Sequence, residues 1–311
     1  DLQRARPTIF FSVPRLWLKF EQGVHAKIPP GKLKLLLSIP VLGKLVRRKI
    51  LKGLGLDQCR VAAGGAAPMP HEMLNWYRDL GLDLIEVYGM TENCGVSHST
   101  LPGARQTGTV GLTYDEVQCR IAPDSGEIQM HCPAVMLGYY REPEQTAQTF
   151  TPDGWLRTGD KGAIDAQGFL SITGRVKDIF KTSKGKYIAP APIEDLLVMH
   201  TDIEACAVTG ANMTQPLGIV MLSQEAASRC TSEQAKQLLT ESLQNHLGTV
   251  NAQLEPHEKL AYLAVVTTPW TPENGFVTPT LKVKRPCIEE AYGQQFNTWL
   301  LQNKPVVWVE G

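Results

Sequence analysis

Residues 174–194 constrain this 311-residue chain more than any other stretch. They read Gly-Arg-Val-Lys-Asp-Ile-Phe-Lys-Thr-Ser-Lys-Gly-Lys-Tyr-Ile-Ala-Pro-Ala-Pro-Ile-Glu. Arg175, Lys177, Lys181, Lys184 and Lys186 crowd around a glycine turn. Pro190 and Pro192 then stiffen the start of a helical run at Ile193-Glu194. A basic, glycine-bearing connector can bend and can meet an anion. A solvated linker is the other reading. The residue patterns on its two sides differ, so two domains are expected.

Composition removes several classes. At 43% hydrophobic the chain can bury substantial cores. Its 31 basic and 31 acidic residues balance, which gives no electrostatic reason to expect nucleic acid. The seven cysteines are odd in number and scattered, with no Cys-x-x-Cys pair. That pattern argues against a disulfide framework or a zinc site and fits a reduced, cytoplasmic setting. No apolar run reaches the ~18 residues of a membrane span.

Thr8-Ile-Phe-Phe-Ser-Val13 reads as a strand, and an apolar helix follows around Leu16-Trp17-Leu18. A buried strand this early needs neighbours, so the chain is expected to be the C-terminal portion of a longer protein. Residues 31–55 mix basic and apolar residues. One reading is a helix lying on a membrane surface, a peripheral contact. A core helix with a charged outer face is preferred. Cys59-Arg-Val-Ala-Ala-Gly-Gly-Ala-Ala-Pro68 is a short strand entering a turn of small residues, where backbone can approach a flat ligand. A tightly packed turn is the alternative.

Residues 71–81 read as a helix ending at Gly81, and Leu82–Tyr88 as a strand that runs out into Gly89-Met-Thr-Glu92. Ligands of α/β sheets collect beyond the carboxyl ends of strands. Thr91 offers a hydroxyl to a phosphate oxygen there. Glu92 offers the hard oxygen that Mg²⁺ prefers. Tyr88 can stack on a base. A lone Thr-Glu in this position would instead be a helix N-cap with an acidic first turn. Cys94 and His98 lie close by, and a Cys/His nucleophile there is disfavoured.

Short strands are expected through 108–172, at 108–111, 117–121, 126–130, 138–140 and 168–172, as a small distorted barrel. Gly154-Trp-Leu-Arg-Thr-Gly-Asp160 is the chemically useful piece. A carboxylate on a glycine turn can accept both hydroxyl protons of a ribose, although an Asx turn would use the same residue. Beyond the connector, a helix at 192–200 leads to strands at 205–209 and 218–222. A helix at 232–247 follows, opened by a Thr231-x-x-Gln234 capping box. A strand at 260–266, a turn through Pro272–Gly275 and a final helix after Pro286 complete a compact α+β unit.

Four motifs in order carry a resemblance: Tyr88–Glu92, Gly154–Asp160, the 174–194 stretch, and Thr280-Leu-Lys282. Together they resemble the adenylate-forming superfamily of acyl-CoA synthetases, firefly luciferases and peptide-synthetase adenylation domains. The wording from Phe180 to Pro190 is most similar to the long-chain fatty acyl-CoA synthetase branch.

The resemblance implies an α/β fold, the C-terminal part of a large α/β plus β-barrel adenylation domain followed by a small α+β lid. Its expected parts are α/β at 1–107, barrel at 108–173, hinge at 174–178 and mobile lid at 179–311. It implies a nucleotide site in which Gly65, Ala66 and Ala67 lie along adenine, with Tyr88, Gly89 and Thr91 beside them. Asp160 would bind the ribose with help from Arg175, and Glu92 would hold Mg²⁺. Lys282 matches the catalytic lysine, with Lys284 as the competing candidate. Lys177 matches the hinge, and Lys181 and Gly185 the thioester step, where Gly185 leaves room for a pantetheine arm. ATP, Mg²⁺, coenzyme A and a fatty acid are the implied ligands, with no obligate protein partner. An acyl-AMP ligase delivering to a carrier protein and a non-catalytic nucleotide-binding relative are the alternatives. The superfamily's upstream phosphate loop is not among these residues, so the chain alone is expected to be inactive.

Overall fold

The computed structural model describes residues 1–65, 69–101, 106, 108–279 and 281–309. Two compact units divide the chain, Asp1–Val176 and Lys177–Gly311.

The first unit begins with α1 (Leu2–Ala5), β1 (Ile9–Ser12), α2 (Pro14–His25), α3 (Pro30–Ser38) and α4 (Pro40–Leu54). Each of the last three helices carries a proline in its first turn, where the missing N–H is not needed. Gly55 ends α4 with φ 79°, a left-handed cap that a side chain would strain. Then come β2 (Val61–Gly65), α5 (His71–Asp79), β3 (Leu84–Tyr88), β4 (His98–Ser99) and β5 (Leu112–Thr113). These five strands form one sheet in chain order. β1, β2 and β3 run parallel, β4 pairs antiparallel with β3, and β5 pairs antiparallel with β4.

Aromatic packing builds the core on one face of this sheet. Trp17 is fully buried, and its ring meets Tyr77 edge-on at 5.0 Å. The Tyr77 hydroxyl donates to Trp17 O at 2.7 Å, so its one polar atom is satisfied. Leu33, Ile50 and Leu80 form a smaller core where α3 and α4 meet the body. The charged-outer-face reading of residues 31–55 is thereby half right. An inner stripe is buried, yet Leu35, Val41 and Leu45 face outward with the cations.

The remaining strands of the first unit are β6 (Gln118–Ile121), β7 (Glu127–His131), β8 (Leu156–Ile164) and β9 (Leu170–Arg175), with α6 (Pro143–Thr149) between β7 and β8. They pair antiparallel in chain order. Residues 108–111 form no strand; the next strand, β5, belongs to the first sheet. Residues 138–140 are likewise not a strand, because they form the approach to α6.

The second unit opens with the hairpin β10 (Phe180–Lys181) and β11 (Tyr187–Ile188), then α7 (Pro190–Leu197). Helix α7 therefore starts at the first proline of the pair, two residues earlier than expected. A four-stranded sheet follows: β12 (Ile203–Thr209), β13 (Leu217–Leu222), β14 (Leu263–Val266) and β15 (Val306–Val309). Alternation along β13 splits the unit into two cores. Val220 and Leu222 face one core, and Leu217, Ile219 and Met221 face the other. Helix α8 (Gln224–Arg229) precedes α9 (Glu233–Gln253). Helix α9 lays Leu239, Leu243, Leu247 and Val250 against the first core. Its cap is Ser232, whose hydroxyl accepts from Ala235 N at 3.2 Å, and not the expected Thr231. Helices α10 (Arg285–Tyr292) and α11 (Phe296–Leu301) cover the other face. Strand β15 was not expected at all.

Candidate nucleotide-binding site

The first unit brings three of the expected site residues together. Strand β3 delivers Tyr88 at its carboxyl end, and its hydroxyl donates to Asp160 Oδ2 at 2.7 Å. Arg175 Nε donates to Asp160 Oδ1 at 2.9 Å. Asp160 and Arg175 face each other across the β8–β9 ladder, so the pairing is fixed by register. Irregularities between Glu127 and Gln129, and between Lys161 and Gly162, flank Asp160. Such bulges re-aim side chains. Gly159, at φ 73°, supplies the bend, and its N–H donates to Glu127 Oε1 at 3.0 Å.

Tyr88 was expected to stack on a base. The structure gives it a second task, since its hydroxyl is committed to Asp160. Burial, then the Asp160 charge, push its phenol well above the ordinary range, so it stays a proton donor. The ring lies 6.1 Å from that of His98, its cross-strand partner on β4. His98 is buried, its Nδ1 lies 2.6 Å from Ser97 Oγ, and burial lowers its pKa to about 4. That is an imidazole kept neutral, and Cys94 sits on an exposed turn; neither favours a Cys/His nucleophile.

The turn after Tyr88 is built by packing. A Cβ on Gly89 would come within 2.4 Å of the Gly95 backbone, so the turn admits no side chain there. Thr91–Asn93 is one turn of 3₁₀ helix, with Asn93 Oδ1 accepting from Met90 N at 2.9 Å. Thr91 is exposed and Glu92 half-buried. Tyr139 donates its hydroxyl to Glu92 Oε1 at 2.6 Å, and Met136 N donates to Glu92 O at 2.7 Å. Nothing in the sequence singled out Tyr139. The fit to Mg²⁺ rests on the donor set: one oriented carboxylate, beside phosphates brought by a nucleotide, is what that ion uses. Among the described residues no cluster of three or more His, Cys, Asp or Glu side chains is placed to hold a metal.

Gly65 ends β2, where a Cβ would lie 2.7 Å from Val87 O. Its bareness is required by the neighbouring strand. Ala66 and Ala67 lie outside the described residues.

The second unit carries the other candidates. Lys282 is exposed on a small hairpin closed by the Val277–Val283 bridge, and its N–H donates to Thr278 Oγ1 at 3.0 Å. Thr280 lies outside the described residues. Lys284, also exposed, has its N–H on Phe276 O at 2.8 Å. Lys177 is exposed at the head of the unit. On the β10–β11 hairpin, Lys181 Nζ lies 5.5 Å from the Tyr187 ring, and Gly185 takes φ 76° at the turn. Arg285, absent from the sequence reading, is the hub here. It is mostly buried and contacts Asp178 Oδ2 at 3.0 Å, Glu194 Oε1 at 2.6 Å and Val208 O at 3.1 Å.

The fold is that of an adenylation domain. The chain superposes with a TM-score of 0.74 on the adenylation domain of a carboxylate reductase from Mycobacterium chelonae, at 24% identity, over 96% of this chain and 47% of that one. The corresponding domain from Segniliparus rugosus, solved with AMP and a co-purified carboxylic acid, gives 0.71 at 25% identity over 97% and 48%. Two family profiles match by sequence: AMP-binding enzyme over residues 1–140 and AMP-binding enzyme C-terminal domain over 177–300. The chain belongs to the AMP-binding, adenylate-forming family. A relative, the long-chain-fatty-acid–CoA ligase FadD15 of Mycobacterium bovis, is 33% identical over 264 residues, covering 81% of this chain and 44% of that protein. The chain spans about half the length of the curated relatives it matches.

Proposed function

We propose that the protein containing this chain activates a fatty acid with ATP, through an acyl-adenylate, and passes the acyl group to coenzyme A. The observation that carries this reading is Asp160, held between the Tyr88 hydroxyl and the Arg175 guanidinium. Its carboxylate is oriented to accept from a ribose. In the first step a substrate carboxylate attacks the α-phosphorus of ATP and pyrophosphate leaves. Negative charge gathers on oxygens that already repel one another. Lys282 supplies a cation for that charge. A Mg²⁺ ion held by Glu92 and the phosphates would neutralise a further part when bound. Thr91 donates its hydroxyl to a phosphate oxygen.

In the second step the thiol of coenzyme A displaces AMP. The second unit turns about Lys177, withdrawing Lys282 and presenting the Lys181–Gly185 hairpin for the pantetheine arm. The names of the sequence relatives support the fatty acid and the coenzyme A acceptor. The likeness in fold to carboxylate reductase adenylation domains favours a second reading, delivery to a carrier-protein thiol.

One assay separates them. Full-length protein receives ATP, Mg²⁺ and fatty acids from acetate to palmitate, and AMP release is followed with and without coenzyme A. Release that requires coenzyme A and peaks at long chains is the expected result. Adenylate that accumulates regardless of coenzyme A would favour the carrier-protein reading. Tight ATP binding without turnover on any acid would overturn both.

A further inference from the structure

The α3–α4 hairpin has a chemistry unlike the rest of the chain. Between Gln22 and Leu56 there are eight Lys or Arg residues and no Asp or Glu, in a chain whose 31 basic and 31 acidic residues balance only as a whole. Arg47 is used internally, its Nε on Asp79 O at 2.6 Å. Lys32, Lys34, Lys44, Arg48, Lys49 and Lys52 are all exposed.

Apolar side chains share that outer surface. Leu35 is 66% exposed, Val41 75% and Leu45 61%, and Ile39 and Leu42 between them are also exposed. Single exposed leucines are ordinary, but five large aliphatics within eleven residues are not. They sit at the bend where α3 ends at Ser38 and α4 begins at Pro40. On α4 the face is continuous by helical spacing: Val41, Leu45, then Arg48 and Lys49, then Lys52. The opposite stripe, Val46, Ile50 and Leu54, packs into the body. Gly43 lets the two helices close up, since a Cβ there would lie 2.6 Å from Leu37 O. The outward residues are therefore held in place by a packed inner face.

We propose that the α3–α4 hairpin docks on the surface of an anionic lipid bilayer. The aliphatic tip would enter the headgroup boundary, and the flanking lysines and arginines would meet lipid phosphates. Arg48, Lys49 and Lys52 share a shallow hollow with Leu45 and the Arg6–Asp57 ion pair, a setting suited to a phosphate head. No helix among the described residues is long and apolar enough to cross a membrane. Complementarity of charge selects the partner: a hairpin with no acidic residue of its own, beside an Asp57 already paired with Arg6, suits an anionic lipid and gains little from a neutral one. This inference goes beyond the proposed reaction and does not depend on it.

The test is co-sedimentation of the chain with vesicles, in the absence of nucleotide and acid. Neutral phosphatidylcholine vesicles are compared with vesicles carrying about 30% phosphatidylglycerol, at roughly 0.1 M and 0.5 M salt. Binding to the anionic vesicles at least ~10-fold above the neutral ones, weakened by salt, is expected. The triple variant Lys44→Glu, Arg48→Glu, Lys49→Glu should lose at least ~10-fold, since each cation near an anionic surface matters. A second triple variant, Leu35→Ser, Val41→Ser, Leu45→Ser, should also lose binding while keeping all six exposed cations. Circular dichroism melts confirm that both variants fold. Equal sedimentation with both vesicle types, or variants that bind as well as the parent, would overturn the proposal. So would concentration-dependent dimerisation abolished by the serine variant without vesicle binding, or binding by the chain that is absent in the full-length protein. Those last two outcomes mean that a second copy, or another part of the protein, covers the patch.

Discussion

Arg285 reaches back across more than a hundred residues to Asp178, Nη1 to Oδ2 at 3.0 Å, while its other arm holds Glu194. Asp178 follows the expected hinge residue Lys177, and Arg285 stands three residues after Lys282. The two ends of the second unit that matter to the proposed reaction are thus tied inside that unit. Helix α10 begins at this arginine, so the base of the Lys282 hairpin is anchored where the unit begins.

Glu194 makes the arginine costly to remove. Burial pushes its carboxyl above the ordinary range, against the pull of Arg285 and the Val208 N–H. Arg285→Met leaves that carboxylate buried without its cation, and a destabilisation of about 3–5 kcal/mol is expected. Asp178→Asn removes a more exposed partner and should cost less than about 1 kcal/mol. Urea unfolding of the chain measures both. Similar, small losses for the two would mean that the triad contributes no more than surface pairs do.

Tyr88→Phe separates holding from stacking. Phenylalanine keeps a ring for a base but cannot hold Asp160. If the hydroxyl orients the ribose carboxylate, AMP affinity falls about 5–10-fold, the net worth of one ordinary hydrogen bond. Asp160→Ala should fall further, about 100-fold, because the acceptor itself is gone. Calorimetric titration of AMP into full-length protein reads both. An unchanged affinity for Tyr88→Phe would leave stacking as its contribution.

Much of this layout was legible in the sequence, for identifiable reasons. The run Leu82–Tyr88 before a glycine turn announces a sheet strand with a ligand-facing end, and β3 is that strand, starting at Leu84. The site pairing was less accessible. Asp160 meets Arg175 because of a register that bulges on both flanks alter, and bulges leave no periodic signature. Tyr139 follows a glycine in a loop, and its partner Glu92 lies 47 residues away. Arg285 closes a Lys-Val-Lys-Arg run that reads as solvated charge; burial, which sequence spacing did not reveal, makes it a core ion. The exposed aliphatics of α3 and α4 were visible as letters, but which side they faced was decided by the fold.

Asp195 makes the stability of the second unit depend on pH. Burial, then the neighbouring Glu194 charge, raise its carboxyl to about 7 from 3.8, and its Oδ2 is buried without a hydrogen-bond partner. The folded state holds this proton where the unfolded state has lost it. The contribution is complete below the unfolded value and falls as pH rises through about 7. Asp195→Asn removes the titration. The variant should melt a few degrees higher than the parent at pH 8, the difference shrinking toward pH 5. Calorimetric melts across that range check it; parallel curves for the two proteins would place the Asp195 charge in both states alike.

Lys282 and Lys177 should fail in opposite half-reactions. Lys282→Ala removes a cation needed when charge builds on the α-phosphate, and adenylate formation in full-length protein should drop at least ~100-fold. Thioester formation from preformed adenylate should be spared, since by then the pyrophosphate has left. Lys177→Pro fixes φ at the first residue of the second unit. A unit that cannot turn still completes the first step, so adenylate should accumulate while coenzyme A transfer stalls. Single-turnover assays on each half-reaction distinguish the pair. Equal loss of both steps in Lys282→Ala would move the catalytic cation to Lys284. An unimpaired second step in Lys177→Pro would remove Lys177 from the hinge.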